Sequence, residues 1–113
     1  MVLIDTLRAM GAEHGTQFSV ETREADSRVR ISAAGELDVA TAPKLEEAIV
    51  SAIQQGKGVE LDLGGIGFLD STGLRAVIGG LKRARAAEVD FTLATTSAAV
   101  DRLLRITGLD DEF

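Results

Sequence analysis

Segments with the hydrophobic periodicity of strands and segments with that of helices follow one another along this chain, and this order is the strongest constraint on its fold. Four short segments alternate apolar and polar residues with period two, which is typical of strands buried on one face; they are FSVET, RVRISA, VELDL and DFTLAT. Three segments with apolar residues at helical spacing follow the second, third and fourth of them. The predicted order of elements is therefore β-β-α-β-α-β-α.

The ends of the three helices can be read from residue types that favour helix termini. Pro43 fits the first turn of the first helix, and Leu109 fits the apolar contact that follows the last. The expected opening residues are Thr41, Ser71 and Ser97. The expected helix-ending glycines are Gly56, Gly58 and Gly108. The apolar stripes are Leu45, Ala48, Ile49, Ala52 and Ile53; Leu74, Val77, Ile78 and Leu81; and Val100, Leu103 and Leu104.

The order of elements predicts an α/β fold with a four-stranded mixed sheet. EADS reads as a tight turn between two antiparallel strands, whereas the later strands are joined through helices and should be parallel, with right-handed crossovers. Strands buried on both faces would be continuously apolar, so the helices should lie mainly on one face. Residues 1–17 form an N-terminal arm, compatible with a short helix, a dimer contact or a frayed end, and residues 18–113 form the domain.

Composition excludes several classes of function. The chain has no cysteine, so thiolate chemistry and disulfides are absent. No run of about 18 apolar residues spans a membrane, and the start lacks the basic region of a signal peptide, so we expect a cytoplasmic protein. The net charge is −6 and the twelve basic residues are scattered, which argues against binding to nucleic acid.

Ser71 lies where a strand meets a helix, but it lacks the surroundings of a catalytic nucleophile. A nucleophile elbow needs glycine two residues on either side; Gly73 supplies one, and Leu69 occupies the other position. The only histidine, His14, lies in the N-terminal arm, so no base is evident. We therefore expect no enzymatic activity.

Cofactor and metal sites are equally unsupported. DLGGIGFLDSTG precedes a helix, where backbone N–H groups can bind phosphate, yet it matches no phosphate-loop pattern and has no lysine. Asp70 would also repel an anion. The acidic residues are spread over strand and helix exteriors, with neither an EF-hand loop nor a Cys/His cluster. We expect neither a cofactor nor a metal.

Several residues allow both a structural and a functional interpretation. Ser71 could cap the second helix or accept a phosphate, and Thr72 is an ordinary first-turn hydroxyl or a second acceptor. Gly79 and its neighbour Gly80 cost helix stability, and they permit either close packing or an approach by another chain. Glu36 and Asp38 leave the second strand on the edge where Ser71 should lie, as solvated acids or as part of an acidic hydroxyl surface. The bare residues do not decide between these alternatives.

The motifs GELD, DSTGL and TGLD, at residues 35–38, 70–74 and 107–110, together resemble the STAS domain of bacterial anti-sigma factor antagonists. The resemblance covers residues 18–113 and implies a protein that binds an anti-sigma factor serine kinase. It implies that Ser71 is the phosphoacceptor, with Thr72 a lesser candidate, and that a PP2C-type phosphatase reverses the modification. Asp38 matches the family's acid near the kinase contact, whereas Arg75 stands where many relatives carry glycine.

The resemblance thus predicts a partner-binding surface made of Glu36, Asp38, Asp70, Ser71, Thr72, Gly73, Arg75 and Gly79. Phosphorylation would release the kinase, so the chain would regulate transcription that depends on a sigma factor. The alternative interpretation is a STAS subunit of a larger signalling scaffold, and the apolar N-terminal arm allows a weak homodimer. Neither alternative involves a membrane.

Overall fold

The computed structural model describes residues 17–113, and the predicted order of elements is confirmed there. Most of the predicted N-terminal arm, with His14, lies outside the described residues. The elements are β1 Ser19–Glu24, β2 Arg28–Leu37, α1 Ala42–Gln54, β3 Gly58–Leu69, α2 Ser71–Ala86, β4 Phe91–Thr96, α3 Ala98–Thr107 and a single 3-10 turn, Asp110–Glu112.

The strands form one mixed sheet in the order β1-β2-β3-β4. β1 and β2 are antiparallel and joined by the predicted turn, in which the Ala25 N–H donates to the Arg28 carbonyl at 2.9 Å. β2, β3 and β4 are parallel, with α1 and α2 as the connections. This is the predicted four-stranded α/β arrangement.

One hydrophobic core joins the inward face of the sheet to all three helices. Its members include the side chains that the two periodic patterns placed inward, among them Ile31, Leu45, Ile49, Leu61, Val77, Val100 and Leu104. The core is mainly aliphatic, as expected from a chain with four phenylalanines and no tryptophan or tyrosine. Because apolar residues of all three helices belong to this one core, the sheet is covered mainly on one face.

The other face of the sheet is polar. Arg30 on β2 donates to the carboxylates of Glu60 at 2.9 Å and Asp62 at 3.0 Å, both on β3. The hydrogen bond with Glu60 is the main cause of the raised pKa of Arg30. The three side chains are partly exposed, and ion pairs of this kind typically contribute little to stability, so this face adds far less than the core.

The third strand is longer than the sequence pattern predicted. The glycine-rich stretch after Leu63 was expected to be a connection, but β3 continues through it to Leu69. A Cβ on Gly65 would come within 2.8 Å of the Ala34 Cβ, and one on Gly64 within 2.9 Å of the Thr95 side chain. These glycines therefore allow close approach of neighbouring strands, and the strand carries the chain directly to Asp70.

The predicted ends of α3 are confirmed. The Ser97 hydroxyl accepts from the Val100 N–H at 3.2 Å, and Gly108 has the left-handed φ of 73° that suits glycine. The Leu109 N–H then donates to the Leu104 carbonyl at 2.9 Å. At the end of α1, Gly56 has the same conformation with φ 73°, whereas Gly58 is the first residue of β3 and does not end the helix.

The two glycines inside α2 have different surroundings. A Cβ on Gly80 would lie 3.1 Å from the Ile49 side chain and 3.2 Å from the Phe91 ring, so this glycine permits close packing. A Cβ on Gly79 would meet nothing within 4 Å. Close packing therefore explains the glycine at position 80. It does not explain the glycine at position 79, where a side chain would fit without contacting any neighbour.

We predict that Gly79→Ala stabilises the fold, by about 0.5–1 kcal/mol, because alanine favours helix and meets no neighbour here. Gly80→Ala is the matched control, since the same gain in helix propensity is opposed by contact with Ile49 and Phe91. Urea unfolding measures both changes. Equal stabilisation by the two substitutions would contradict the packing described for Gly80.

Candidate partner-binding site at the start of α2

The last residues of β2 and β3 form the base of the candidate site. Leu37 and Leu69 are both buried and face each other in the parallel register, and the Asp70 N–H donates to the Leu37 carbonyl at 3.3 Å. Asp38 and Asp70 follow these two leucines directly. The structure thus brings Asp38 and the start of α2 to one edge of the sheet, as the parallel topology predicted.

Gly73 fixes how closely α2 approaches the end of β2. A Cβ there would lie 2.4 Å from the Leu37 carbonyl oxygen and 2.7 Å from the Leu69 side chain. Those distances are shorter than any real Cβ contact, so only glycine fits without a shift of the backbone. Gly73 was expected at the partner surface; it is buried, and its place in the structure is to seat the first turn of α2.

Asp70, and not Ser71, is the N-cap of α2. The Asp70 backbone is extended, with φ −102° and ψ −175°, and its carboxylate accepts from the Gly73 N–H at 2.9 Å. Ser71 is already the first helical residue, so its hydroxyl cannot serve as the cap. The expectation that Ser71 caps the helix is therefore wrong, because the cap is the last non-helical residue, and that residue is Asp70.

This assignment leaves the Ser71 hydroxyl unengaged. Ser71 is exposed, and within residues 17–113 its hydroxyl makes no hydrogen bond. Thr72, the next residue, is half-buried. Of the two adjacent hydroxyls, Ser71 is the more accessible to another protein.

The loop between β2 and α1 is held by its own hydrogen bonds. One Asp38 carboxylate oxygen accepts from the N–H groups of Ala40 at 3.0 Å and Thr41 at 3.2 Å. The Thr41 hydroxyl donates to the Glu36 carbonyl at 2.7 Å and accepts from the Asp38 N–H at 2.9 Å. Thr41 occupies the N-cap position of α1 but makes no side-chain cap bond, because its hydroxyl turns back into this loop.

The other expected site residues differ in how far they lie from Ser71 and the ends of β2 and β3. Glu36 is exposed and pairs with Phe68 in the β2–β3 register. Arg75 is exposed one helical turn beyond Ser71, where residues four apart are neighbours. Gly79 is eight residues from Ser71, which corresponds to about 12 Å along the helix. Glu36, Asp38, Asp70, Ser71 and Arg75 are thus close along the chain or across the strands, whereas Gly79 is more distant.

Two exposed apolar side chains at this edge were missed from the sequence. Val39 is 72% exposed and directly follows Asp38, while Phe68 is 49% exposed and lies two residues before Asp70. Alternation does not reveal Phe68, because β3 loses its period-two pattern after Leu63: Ile66 is buried, whereas Gly65 and Gly67 are exposed. For Val39, a loop residue, no periodic signal exists.

Among the described residues, no group of three or more His, Cys, Asp or Glu side chains could hold a metal, and no polar or charged side chain is buried. At this edge of the sheet the structure presents the free hydroxyl of Ser71 and the carboxylates of Asp38 and Asp70, both of which accept hydrogen bonds from backbone N–H groups. No helix between residues 17 and 113 is long and apolar enough to cross a membrane.

The capping assignment can be tested by stability. Asp70→Ala should lower the free energy of unfolding by about 1 kcal/mol, the typical value of an N-cap. Ser71→Ala should change it by less than about 0.5 kcal/mol, as for a surface residue without such a role. Asp70→Asn is the matched control, because asparagine caps as well as aspartate does. Urea unfolding in which Ser71→Ala is the more damaging change would reverse the assignment.

Comparison with known proteins gives a consistent result. The family model described as "Mlab, STAS domain" matches residues 20–113. An anti-sigma-B factor antagonist of Listeria monocytogenes is 38% identical over 96 residues, which cover 83% of this chain and 84% of the relative.

Solved structures agree with the sequence match. An anti-sigma factor antagonist from Mycobacterium paratuberculosis has a TM-score of 0.73 at 26% identity, covering 86% of this chain and 83% of its own. The Bacillus protein SpoIIAA matches in its unphosphorylated form (TM-score 0.69, 26% identity, 84% of each chain). It also matches in its phosphorylated form (TM-score 0.66, 25% identity, 84% of this chain and 86% of its own). The chain therefore belongs to the STAS-domain family.

Proposed function

We propose that this chain is an anti-sigma factor antagonist that binds an anti-sigma factor serine kinase and is released when Ser71 is phosphorylated. One observation carries the proposal: Ser71 is exposed at the start of α2 with a hydroxyl that Asp70 has left free of any capping role. The names of the relatives give the class of protein, since they are anti-sigma factor antagonists. Such a protein would act in the cytoplasm and need no cofactor.

For the transfer of a phosphoryl group from ATP, this chain would need to supply only an accessible hydroxyl. The Ser71 oxygen would attack the γ-phosphorus of ATP held by the kinase, forming a P–O bond as the bond to ADP breaks. The hydroxyl proton would pass to a base on the kinase. Thr72 is a weaker candidate because it is half-buried. A PP2C-type phosphatase would restore the hydroxyl by hydrolysis.

The added charge explains why binding would be lost. A phosphoserine carries about −1.5 to −2 charges at pH 7. It would lie next to Asp70 and on the edge that carries Asp38 and Glu36. At an interface this charge must also be desolvated, and an uncompensated buried charge costs roughly 3–5 kcal/mol. At 1.4 kcal/mol per factor of ten, binding would weaken by about a few hundred- to a few thousand-fold.

The fold itself would tolerate the phosphate. Negative charge at a helix N-terminus is favourable, and Arg75, four residues further on, is placed to pair with it. Both forms of SpoIIAA match this structure with similar TM-scores, which supports one fold for the two states of that protein. We therefore propose that phosphorylation blocks docking by charge and leaves the domain folded as before.

The proposal predicts opposite effects for two substitutions of one residue. Ser71→Ala should bind the kinase as the unmodified chain does and accept no phosphate, whereas Ser71→Asp should bind at least about tenfold more weakly because it adds charge at the same place. Calorimetry and a kinase assay with ATP measure these effects. The partner is obtained by pull-down from source lysate and identified by mass spectrometry.

Thr72→Ala is the control, and it should still be phosphorylated at Ser71. Equal affinity of Ser71→Ala and Ser71→Asp for the kinase would contradict release by charge at position 71. Phosphate found on Thr72 alone would show that Thr72, and not Ser71, is the phosphoacceptor. Failure of the wild-type chain to retain any anti-sigma factor kinase would contradict the function itself.

A further inference from the structure

The described part of the chain has three large apolar side chains that are widely exposed, and two of them lie near the carboxyl ends of the neighbouring strands β2 and β3. They are Val39 (72% exposed), Phe68 (49%) and Ile106 (72%). Single exposed apolar residues are ordinary on protein surfaces, whereas larger contiguous apolar patches mark interaction sites. Val39 and Phe68 both lie at the carboxyl edge of the sheet, beside the proposed phosphoacceptor.

The register of the sheet fixes the position of Phe68. It pairs with Glu36 across β2 and β3, and the next pair, Leu37 and Leu69, is buried. Glu36 and Phe68 are exposed where Leu37 and Leu69 are buried, so the Glu36–Phe68 pair points away from the core. Phe68 is three residues from Ser71, so their Cα atoms are at most about 11 Å apart.

Val39 is held in place as well, although it lies in a loop. The preceding residue, Asp38, accepts hydrogen bonds from the N–H groups of Ala40 and Thr41, the two residues after Val39. The Thr41 hydroxyl ties the same loop to the Glu36 carbonyl at 2.7 Å. Little loop entropy would therefore be lost when a partner covers Val39, which favours tight binding.

The charges around the pair indicate the chemistry of the partner. Glu36, Asp38 and Asp70 carry carboxylates at this edge of the sheet, and Arg75 is the only basic residue within five sequence positions of any of them. A complementary surface would have an apolar pocket with lysine or arginine at its rim.

We propose that Val39 and Phe68 are the apolar anchors of the anti-sigma factor interface, a role that rests on the proposed function. They fill an apolar pocket of that partner, while the acidic groups face its basic rim. Apolar anchors of this kind carry most of an interface's affinity once water is excluded. Because those basic groups already pair with the carboxylates, a phosphate on Ser71 would be left uncompensated beside the apolar contact, as the proposed release requires.

The test compares Val39→Ala and Phe68→Thr with Ile106→Ala. Threonine keeps the β-propensity of position 68 and removes the ring. Ile106 is as exposed as Val39 but lies in the last turn of α3, so it is the matched control. Each site variant should lower affinity for the anti-sigma factor kinase retained by the wild-type chain by about tenfold or more, the effect of an interface hot spot. Ile106→Ala should leave affinity unchanged.

The midpoint of urea unfolding separates a binding defect from a folding defect, and Val39→Ala in an exposed loop should leave it unchanged. If wild-type protein binds the kinase and Val39→Ala and Phe68→Thr bind equally well, the anchors are wrong while the proposed function stands. An equal loss in Ile106→Ala would also overturn the assignment. If the wild-type chain binds no such kinase, the proposed function fails first.

Discussion

The contact between the first turn of α2 and the end of β2 is the constraint on which the site depends. Gly73 has no side chain, and this allows its backbone to lie against the Leu37 carbonyl, where a Cβ would come within 2.4 Å. The Asp70 N–H donates to the same carbonyl. These contacts fix the position of Ser71 relative to Asp38, although the two residues lie on separate segments of the chain. The geometry of the site is thus built by backbone atoms, before any exposed side chain contributes.

Asp70 and Ser71 divide two tasks that one residue could have combined. The carboxylate satisfies an N–H group of α2 and places negative charge where the helix dipole favours it. The hydroxyl is then free for another protein. Substitution or modification of Ser71 would therefore leave the cap of α2 in place. Under the proposed function, a phosphate on Ser71 would change the surface charge of the domain without changing its shape.

Much of the fold could be predicted from the sequence because its core depends on periodicity. The apolar stripes of the helices, the inward face of β2 and that of β3 as far as Leu63 follow residue spacing alone. Ser97 begins α3 and Gly108 ends it, as expected. Asp70 and Ser71 are different. Both residue types cap helices well, and the choice between them depends on which residue adopts extended backbone, which sequence does not reveal. The extension of β3 was missed because Gly64 and Gly65 suggest a loop until the neighbouring strands are seen to approach them. The exposure of Val39 depends on the conformation of its loop, which hydrogen bonds of Asp38 and Thr41 hold, so it could not be predicted from the sequence either.

The most direct measurement compares amide NMR spectra of the unmodified chain and the chain phosphorylated on Ser71. If the phosphate acts by charge on a surface already formed, shift changes should be confined to residues 36–41 and 68–75, with the amides of β1, β4 and α3 unmoved. Shift changes spread through the sheet would mean that phosphorylation rearranges the domain, and would contradict the account.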